Sequence, residues 1–191
     1  PPHAFADEND IGRYQGRIIR KIDIVRKNVF DDRAGKSDLF IYRWANALHV
    51  VTKERVIRRE LLFAAGDSLD AERILESQRN IRSTQLIEDV EVNATPVGAD
   101  SVDLEIVSSD LWTTKVSPTF QTGGGNSTIG LLFAEKNLLG TGQLIETTGQ
   151  AGTDQDGFSI MYRNRRVLGT RIAAGLGYSD FTYDRRYLFQ L

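Results

Sequence analysis

DLWTTKVSPTFQTGGGNSTIGLLFAEKNLLGTGQLIETTGQ, residues 110–150, is the stretch that decides the fold. Before it the chain reads as charged helices and short alternating strands. After it the helical pattern stops, and Gly, Thr and aromatic residues recur with the two-residue period of β-strands. Ile129, Leu131 and Phe133 share one face of such a strand, and Phe158, Ile160 and Tyr162 share a face of another. In RIAAGLGY, Ile172, Ala174, Leu176 and Tyr178 face one way, and Ala173, Gly175 and Gly177 the other. A strand wetted on one side normally carries polar side chains there. Here that side is small, which suits a bent strand or a crowded lumen. Lipid against the apolar face accounts for this better than water does. About six strands are expected in residues 113–191. The first, Lys115–Phe120, is expected to be short and interrupted by Pro118, which cannot donate to a ladder.

Upstream, residues 1–16 are polar and punctuated, a loose lead-in. Arg17–Val25 reads as a strand with Ile18, Ile22 and Ile24 on one side and Lys21 and Asp23 on the other; Arg20 breaks the apolar face. Residues 26–48 hold a loop, FDDRAGKSDLF, and a possible short helix, IYRWANALH. Thr52 reads as the N-cap of a helix from Lys53 to about Ala64, ended by Gly66, with Val51 and Val56 at staple spacing. Asp70 reads as the cap of a second helix through Ser83, with Leu69 and Ile74 as its staple and Ile74 and Ile81 on its inner face. Leu86, Val90, Val92 and Ala94 then alternate with Ile87, Asp89, Glu91 and Asn93. After the turn TPVGAD, Val102, Leu104 and Ile106 alternate with Ser101, Asp103 and Glu105. The sum is β-α-α-β-β, two helices on one face of a three-stranded sheet with its other face wet.

Composition bounds the function. The chain has 191 residues, enough for one or two domains, and a net charge of −2, which builds no general field for nucleic acid or acidic membranes. Cysteine is absent, which removes disulfides, zinc–thiolate sites and thiol nucleophiles together. No apolar run reaches the length of a transmembrane helix, and the opening PPHAFADEND has no signal-peptide pattern.

The segments GRIIRKIDIV, NALHVVTKERVIRRELLFAAGDSLDAERILESQRNIR, LIEDVEV and DSVDLEIVSSDLWT together resemble a polypeptide-transport-associated (POTRA) domain. The following GGGNSTIGLLFAEKNLLGTGQ resembles the first barrel hairpin of the bacterial outer-membrane assembly superfamily that includes BamA and TamA. The most specific pieces are HVVTKERVIRRELLFAAGD and the turn EKNLLGTGQ. The resemblance implies a lead-in at residues 1–16, an α+β POTRA domain at 17–109, and the N-terminal strands of an outer-membrane β-barrel at 110–191. The family's late Arg-Gly-aromatic tripeptide does not occur here, and the tail YDRRYLFQL lacks the family's closing-strand glycine and terminal aromatic. About six strands cannot close a barrel, the smallest having about eight, so the chain is expected to be part of a longer protein. The implied function is assistance in inserting, assembling or translocating proteins at the bacterial outer membrane, with the POTRA domain in the periplasm and no enzymatic step. Implied partners are unfolded outer-membrane or secreted clients, outer-membrane lipid and accessory assembly proteins. A two-partner transporter, a barrel exporting its own fused passenger, and a soluble β-rich binding module are the alternatives.

Candidate residues follow. The resemblance makes the second POTRA strand a sheet edge, so Ile87, Glu88, Val90, Val92 and Ala94 are candidates for β-augmentation by a client strand. The competing reading is an edge protected by Glu88, Asp89 and Glu91. Asp110 and Trp112 lie at the seam between domain and barrel; Trp112 suits an interfacial aromatic belt or the end of the POTRA core. Asn137, Gly140 and Gly142 are expected to supply positive-φ positions in a strand turn. Gly123–Gly125 is followed by no Gly-Lys-Ser/Thr and reads as turn chemistry. His3 and His49 have no convergent ligands, and Asp7, Glu8, Asp10, Asp31 and Asp32 read as solvated loop charges, so no metal, cofactor or catalytic set is expected. Arg55, Arg58 and Arg59 read as a solvated helix face, or as a contact for acidic lipid or a partner.

Overall fold

The computed structural model describes residues 11–29, 50–153 and 155–191. The loop and short helix expected within 26–48, together with His3, His49 and the acidic residues named above from 7–10 and 31–32, lie wholly or mostly outside these. The chain divides into two compact units, the first ending at Trp112 and the second starting at Thr113.

The first unit is a three-stranded sheet of β1 (Ile18–Lys27), β2 (Ile87–Val97) and β3 (Ser101–Asp110) in the order β1-β3-β2, with α1 (Glu54–Arg58) and α2 (Ala71–Ser83) between β1 and β2 in sequence. β1 runs parallel to β3, and β2 pairs with β3 as an antiparallel hairpin. Ile19, Ile57, Leu69, Ile74, Ile81, Val90, Val102, Leu104 and Ile106 form the centre of the core. Each such side chain contributes about 1.5–3 kcal/mol on leaving water.

α2 forms where expected. Asp70 is extended and its side chain accepts from Glu72 N, capping the helix, while Leu69 and Ile74 are both buried. Ser77, unremarkable in sequence, is also buried; its hydroxyl donates to Arg73 O and accepts from Leu62 N at 2.8 Å. That bond helps explain why α1 is shorter than expected, five residues rather than a helix to Ala64. Beyond Arg59 the helical ladder breaks: Glu60 N and Leu61 N reach back only to Ile57 O and Arg58 O. Leu62 N goes to Ser77 and Ala64 N to Asp67 Oδ2, and further on Gly66 N and Leu69 N go to the carbonyls of Ile19 and Arg17. Gly66 does take positive φ, but in this connecting loop rather than at a helix end. Thr52 is not the cap. Lys53 occupies that position with no side-chain bond, and Thr52 is fully buried with its N and Oγ1 both donating to Asp110 Oδ2, at 2.7 and 2.8 Å.

Two bulges correct the strand phases. In β1 the register with β3 slips between Ile19 and Lys21, leaving Arg20 as the extra residue. Ile19 therefore joins Ile22 in the core while Ile18, expected inside, is 44% exposed. Arg20 swings onto Asp103, making a two-pronged ion pair. In β2 the slip lies between Ile87 and Asp89, so Leu86 and Ile87 are both buried although alternation puts them on opposite faces. β2 also continues through Thr95–Val97, which shortens the turn to Gly98–Asp100. Residues 11–16 are not a loose lead-in: Ile11 is buried, Gly12–Tyr14 is a 3₁₀ turn, and Gln15 Oε1 accepts from Ala71 N.

The second unit is a six-stranded antiparallel sheet whose spatial order is its sequence order: β4 (Thr114–Gly123), β5 (Asn126–Glu135), β6 (Gln143–Gly152), β7 (Gly157–Asn164), β8 (Ala174–Phe181) and β9 (Asp184–Gln190). β4 is ten residues long, and Pro118 sits in unbroken register opposite Leu131. The expected interruption is absent because β4 is an edge strand of this sheet, where a missing N–H is tolerated. β8 begins at Ala174, so Ile172 and Ala173 precede it.

Candidate functional site

The cross-strand registers of the second unit put one apolar row across all six strands: Val116, Phe133, Thr147, Ile160, Tyr178 and Tyr187. A second row runs from Ile145 through Tyr162 and Leu176 to Phe189, and a third joins Phe120, Ile129 and Ala151. Val116, Phe120, Ile129, Leu131, Phe158 and Leu176 are each at least half exposed. Among the described residues, charges on this face are limited to Glu135 near one end and the Asp180–Arg185 pair near the other. Phe158, Tyr178 and Tyr187 stack at centroid distances of 5.8 and 5.2 Å, and the Tyr178 hydroxyl donates to Asp180. The opposite face carries Ser117, Leu132, Thr148, Ser159, Ser179 and Arg186 in one row, with Gly130, Gly175 and Gly177 elsewhere among a few larger apolar side chains such as Met161 and Leu188. Small size is enforced there: a Cβ on Gly130 would meet Thr119 Oγ1 at 2.6 Å.

Two turns at the same end of the sheet are built alike. In β5–β6, Asn137 Oδ1 accepts from Gly142 N, Leu138–Gly140 forms a 3₁₀ turn, and Thr141 Oγ1 donates to Leu138 O. In β7–β8, Asn164 Oδ1 accepts from Arg166 N, Val167–Gly169 forms the turn, and Thr170 Oγ1 donates to Val167 O. Gly140 and Gly142 take positive φ as expected, but Asn137 does not; its φ is −124° and it acts through its side chain. The left-handed position falls instead to Leu139 and, in the second turn, to Leu168, which is 96% exposed. The repeated Leu-Gly-Thr, at 139–141 and 168–170, is the sequence signal for this pairing. Glu135 fastens the first turn to the start of β4: its Oε1 accepts from Thr113 Oγ1 and Asn137 N, both at 2.6 Å, and its Oε2 from Thr114 Oγ1.

In the first unit, the candidates Ile87, Glu88, Val90, Val92 and Ala94 all lie on β2, an outer strand of its sheet. Ile87, Val90 and Val92 turn their side chains into the core, leaving backbone as the accessible chemistry. Val90 N donates to Asp89 Oδ1, and Val90 O accepts from Gln78 Nε2 at 3.3 Å and Arg82 Nη2 at 2.8 Å. Both groups of Val90 thus point away from β3. Alternation along an antiparallel ladder then points those of Val92 and Ala94 the same way, and Pro96, without an N–H, fits that phase. Asp110 ends β3 and is fully buried against Thr52, while Trp112 is 38% exposed. In the helix, Arg58 pairs with Glu54.

No protein-family model matches the chain. A curated "Outer membrane protein assembly factor BamA" of Neorickettsia risticii is 26% identical over 128 residues, covering 65% of this chain. A "Putative outer membrane protein assembly factor" of Treponema pallidum is 29% identical over 145 residues, covering 72%. Both relatives bear out the resemblance to the BamA/TamA-type outer-membrane assembly superfamily. The chain spans 17% of the length of each of these relatives. Among solved structures, BamA from Haemophilus ducreyi lacking POTRA domains 1–3 shares its fold with a TM-score of 0.57 at 18% identity, over 87% of this chain and 28% of that one.

Proposed function

We propose that this protein works at the bacterial outer membrane in the assembly of other membrane proteins, with residues 113–191 as membrane-facing barrel strands and the first unit as a periplasmic POTRA domain. One observation carries the reading: a largely apolar face that runs across six consecutive strands with its large side chains exposed, backed by a face of mostly small and polar residues. In water a patch of that breadth is an aggregation hazard; against lipid it is the normal exterior of a barrel strand. The Phe158–Tyr178–Tyr187 cluster, ending at Asp180 and Arg185, has the composition of an interfacial girdle. The Leu-Gly-Thr turns lie at the end where β4 begins, hence at the periplasmic end in this reading. Unfolded membrane-protein clients add to the β2 edge through backbone pairing, which tolerates many sequences. The chain performs no catalytic step in this reading.

The absence of cysteine makes the test clean. Ile160→Cys and Ser159→Cys, adjacent on β7, are placed in outer-membrane vesicles and treated with a water-soluble and a lipid-soluble maleimide. The Ile160→Cys thiol reacts with the lipid-soluble reagent and the Ser159→Cys thiol with the water-soluble one. Equal labelling of both positions by the water-soluble reagent refutes the barrel reading.

A further inference from the structure

The β2 edge is covered unevenly. At Val90 the outward carbonyl is held by Arg82 and Gln78 from α2, and the outward amide by Asp89, which itself pairs with Arg82 at 3.2 Å. At Val92 and Ala94 no described side chain bonds the edge. Pro96, two residues further, has no amide to offer. An arriving strand therefore meets a short open window, Val92 to Ala94, closed at one end by a side-chain plug and weakened at the other by a missing donor. The plug is polar, its Arg82 and Asp89 side chains are 45% and 50% exposed, and its bonds end on the same backbone atoms that a client ladder would use.

We propose that Arg82, assisted by Gln78, is a register stop on the client edge: it confines the added strand to the Val92–Ala94 window and prevents the ladder from running on to Val90. The partner is an extended polypeptide, because only another backbone presents amides and carbonyls at strand spacing. The inference rests on the proposed client-binding role of β2. A stop of this kind fixes where a client begins to pair without reading its side chains. Short pairing also keeps the client releasable, since each added ladder residue slows dissociation.

The test uses the whole chain, a photo-crosslinking residue at Asn93 or at Glu88, and a peptide copying β7, Gly157–Asn164. The expected result is strong crosslinking from position 93 and weak crosslinking from position 88. Arg82→Ala raises the yield at position 88 about fivefold, the effect of freeing one hydrogen-bonding group for the ladder, and leaves position 93 unchanged. Arg82→Met, which keeps the aliphatic stem on the helix, gives the same result should Arg82→Ala lose its fold by circular dichroism. Arg79→Ala, which breaks only the neighbouring pair with Glu76, changes neither position. If position 93 crosslinks but the Arg82 variants leave position 88 unchanged, or if both positions react equally in the unaltered chain, the stop is refuted and the edge reading survives. If position 93 gives no crosslink at all, the edge reading fails and the stop with it.

Discussion

The Thr52–Asp110 contact offers a sharp test of how the first unit is held together. Both residues are fully buried, and one carboxylate oxygen receives the Thr52 backbone amide and hydroxyl at 2.7 and 2.8 Å. The bond joins the end of β3 to the chain just before α1, residues 58 positions apart. Asp110→Ala removes the shared acceptor and leaves two donors in a place water does not reach. Each buried donor left unsatisfied costs about 1–3 kcal/mol, so the expected loss is about 3 kcal/mol. Asp110→Asn keeps an oxygen in the same position without the charge, and about 1 kcal/mol is expected. The chain has two tryptophans, so a Trp44→Phe background leaves Trp112, two residues from the contact, as the fluorescent reporter of urea unfolding. The midpoint should fall while the urea dependence of stability stays the same. Combining Asp110→Ala with Thr52→Val should cost much less than the sum of the two, because they remove one interaction. A loss for Asp110→Ala below about 0.5 kcal/mol, or strict additivity in the double variant, would refute this account.

Three further outcomes are expected. Glu135→Ala strips the acceptor from Thr113 and Asn137, both buried, and should free the β5–β6 turn at a cost of about 2–3 kcal/mol, seen as faster amide exchange at Asn137. Leu168→Gly removes a side chain from a left-handed position and should raise the thermal midpoint by the equivalent of about 1 kcal/mol; a fall would mean that the leucine makes a contact worth more than its strain. The Arg20 guanidinium holds the Asp103 carboxyl below the usual carboxylate range, chiefly through their hydrogen bond. A carboxyl with a depressed folded value contributes stability above its unfolded value and loses it as pH falls through the folded one. Asp103→Asn should therefore lower stability slightly at neutral pH and flatten its fall on the acid side, so that the two chains converge at low pH, as measured by urea unfolding between neutral pH and the low acid range.

Local signals in the sequence carried much of the fold. Asp70, Leu69 and Ile74 act within one helical turn of each other, so their cap and staple were readable without knowing the rest. The same holds for Val102, Leu104 and Ile106, and for the barrel-like alternation from Ile129 to Tyr178. Most of the misreadings in the first unit share a cause: they depend on a partner far along the chain. Thr52 has the chemistry of a cap, but its hydroxyl is taken by Asp110. The bulges at Arg20 and Glu88 exist only in relation to β3, so a period counted along one strand misses them. α1 stops early where Ser77, fifteen residues on, takes the Leu62 amide and Asp67 takes that of Ala64. For the edge candidates, the family resemblance pointed to β2, but the cover over Val90 comes from Gln78 and Arg82 on α2, a contact between elements that no pattern within one segment shows.

The order of strands in the two sheets has a consequence for synthesis. In the second unit every strand pairs with its immediate neighbour in sequence, so each can zip onto the one before it as it emerges, and loop-closure entropy is small throughout. The first unit cannot grow that way. Its β1 must wait for β3, and contacts such as Arg20 with Asp103 span 83 residues. Its sheet becomes complete only at Asp110, four residues before β4 begins. A chain made from its N-terminus thus finishes its first unit as β4 appears, and the strands with the exposed apolar face emerge behind a unit that is already complete.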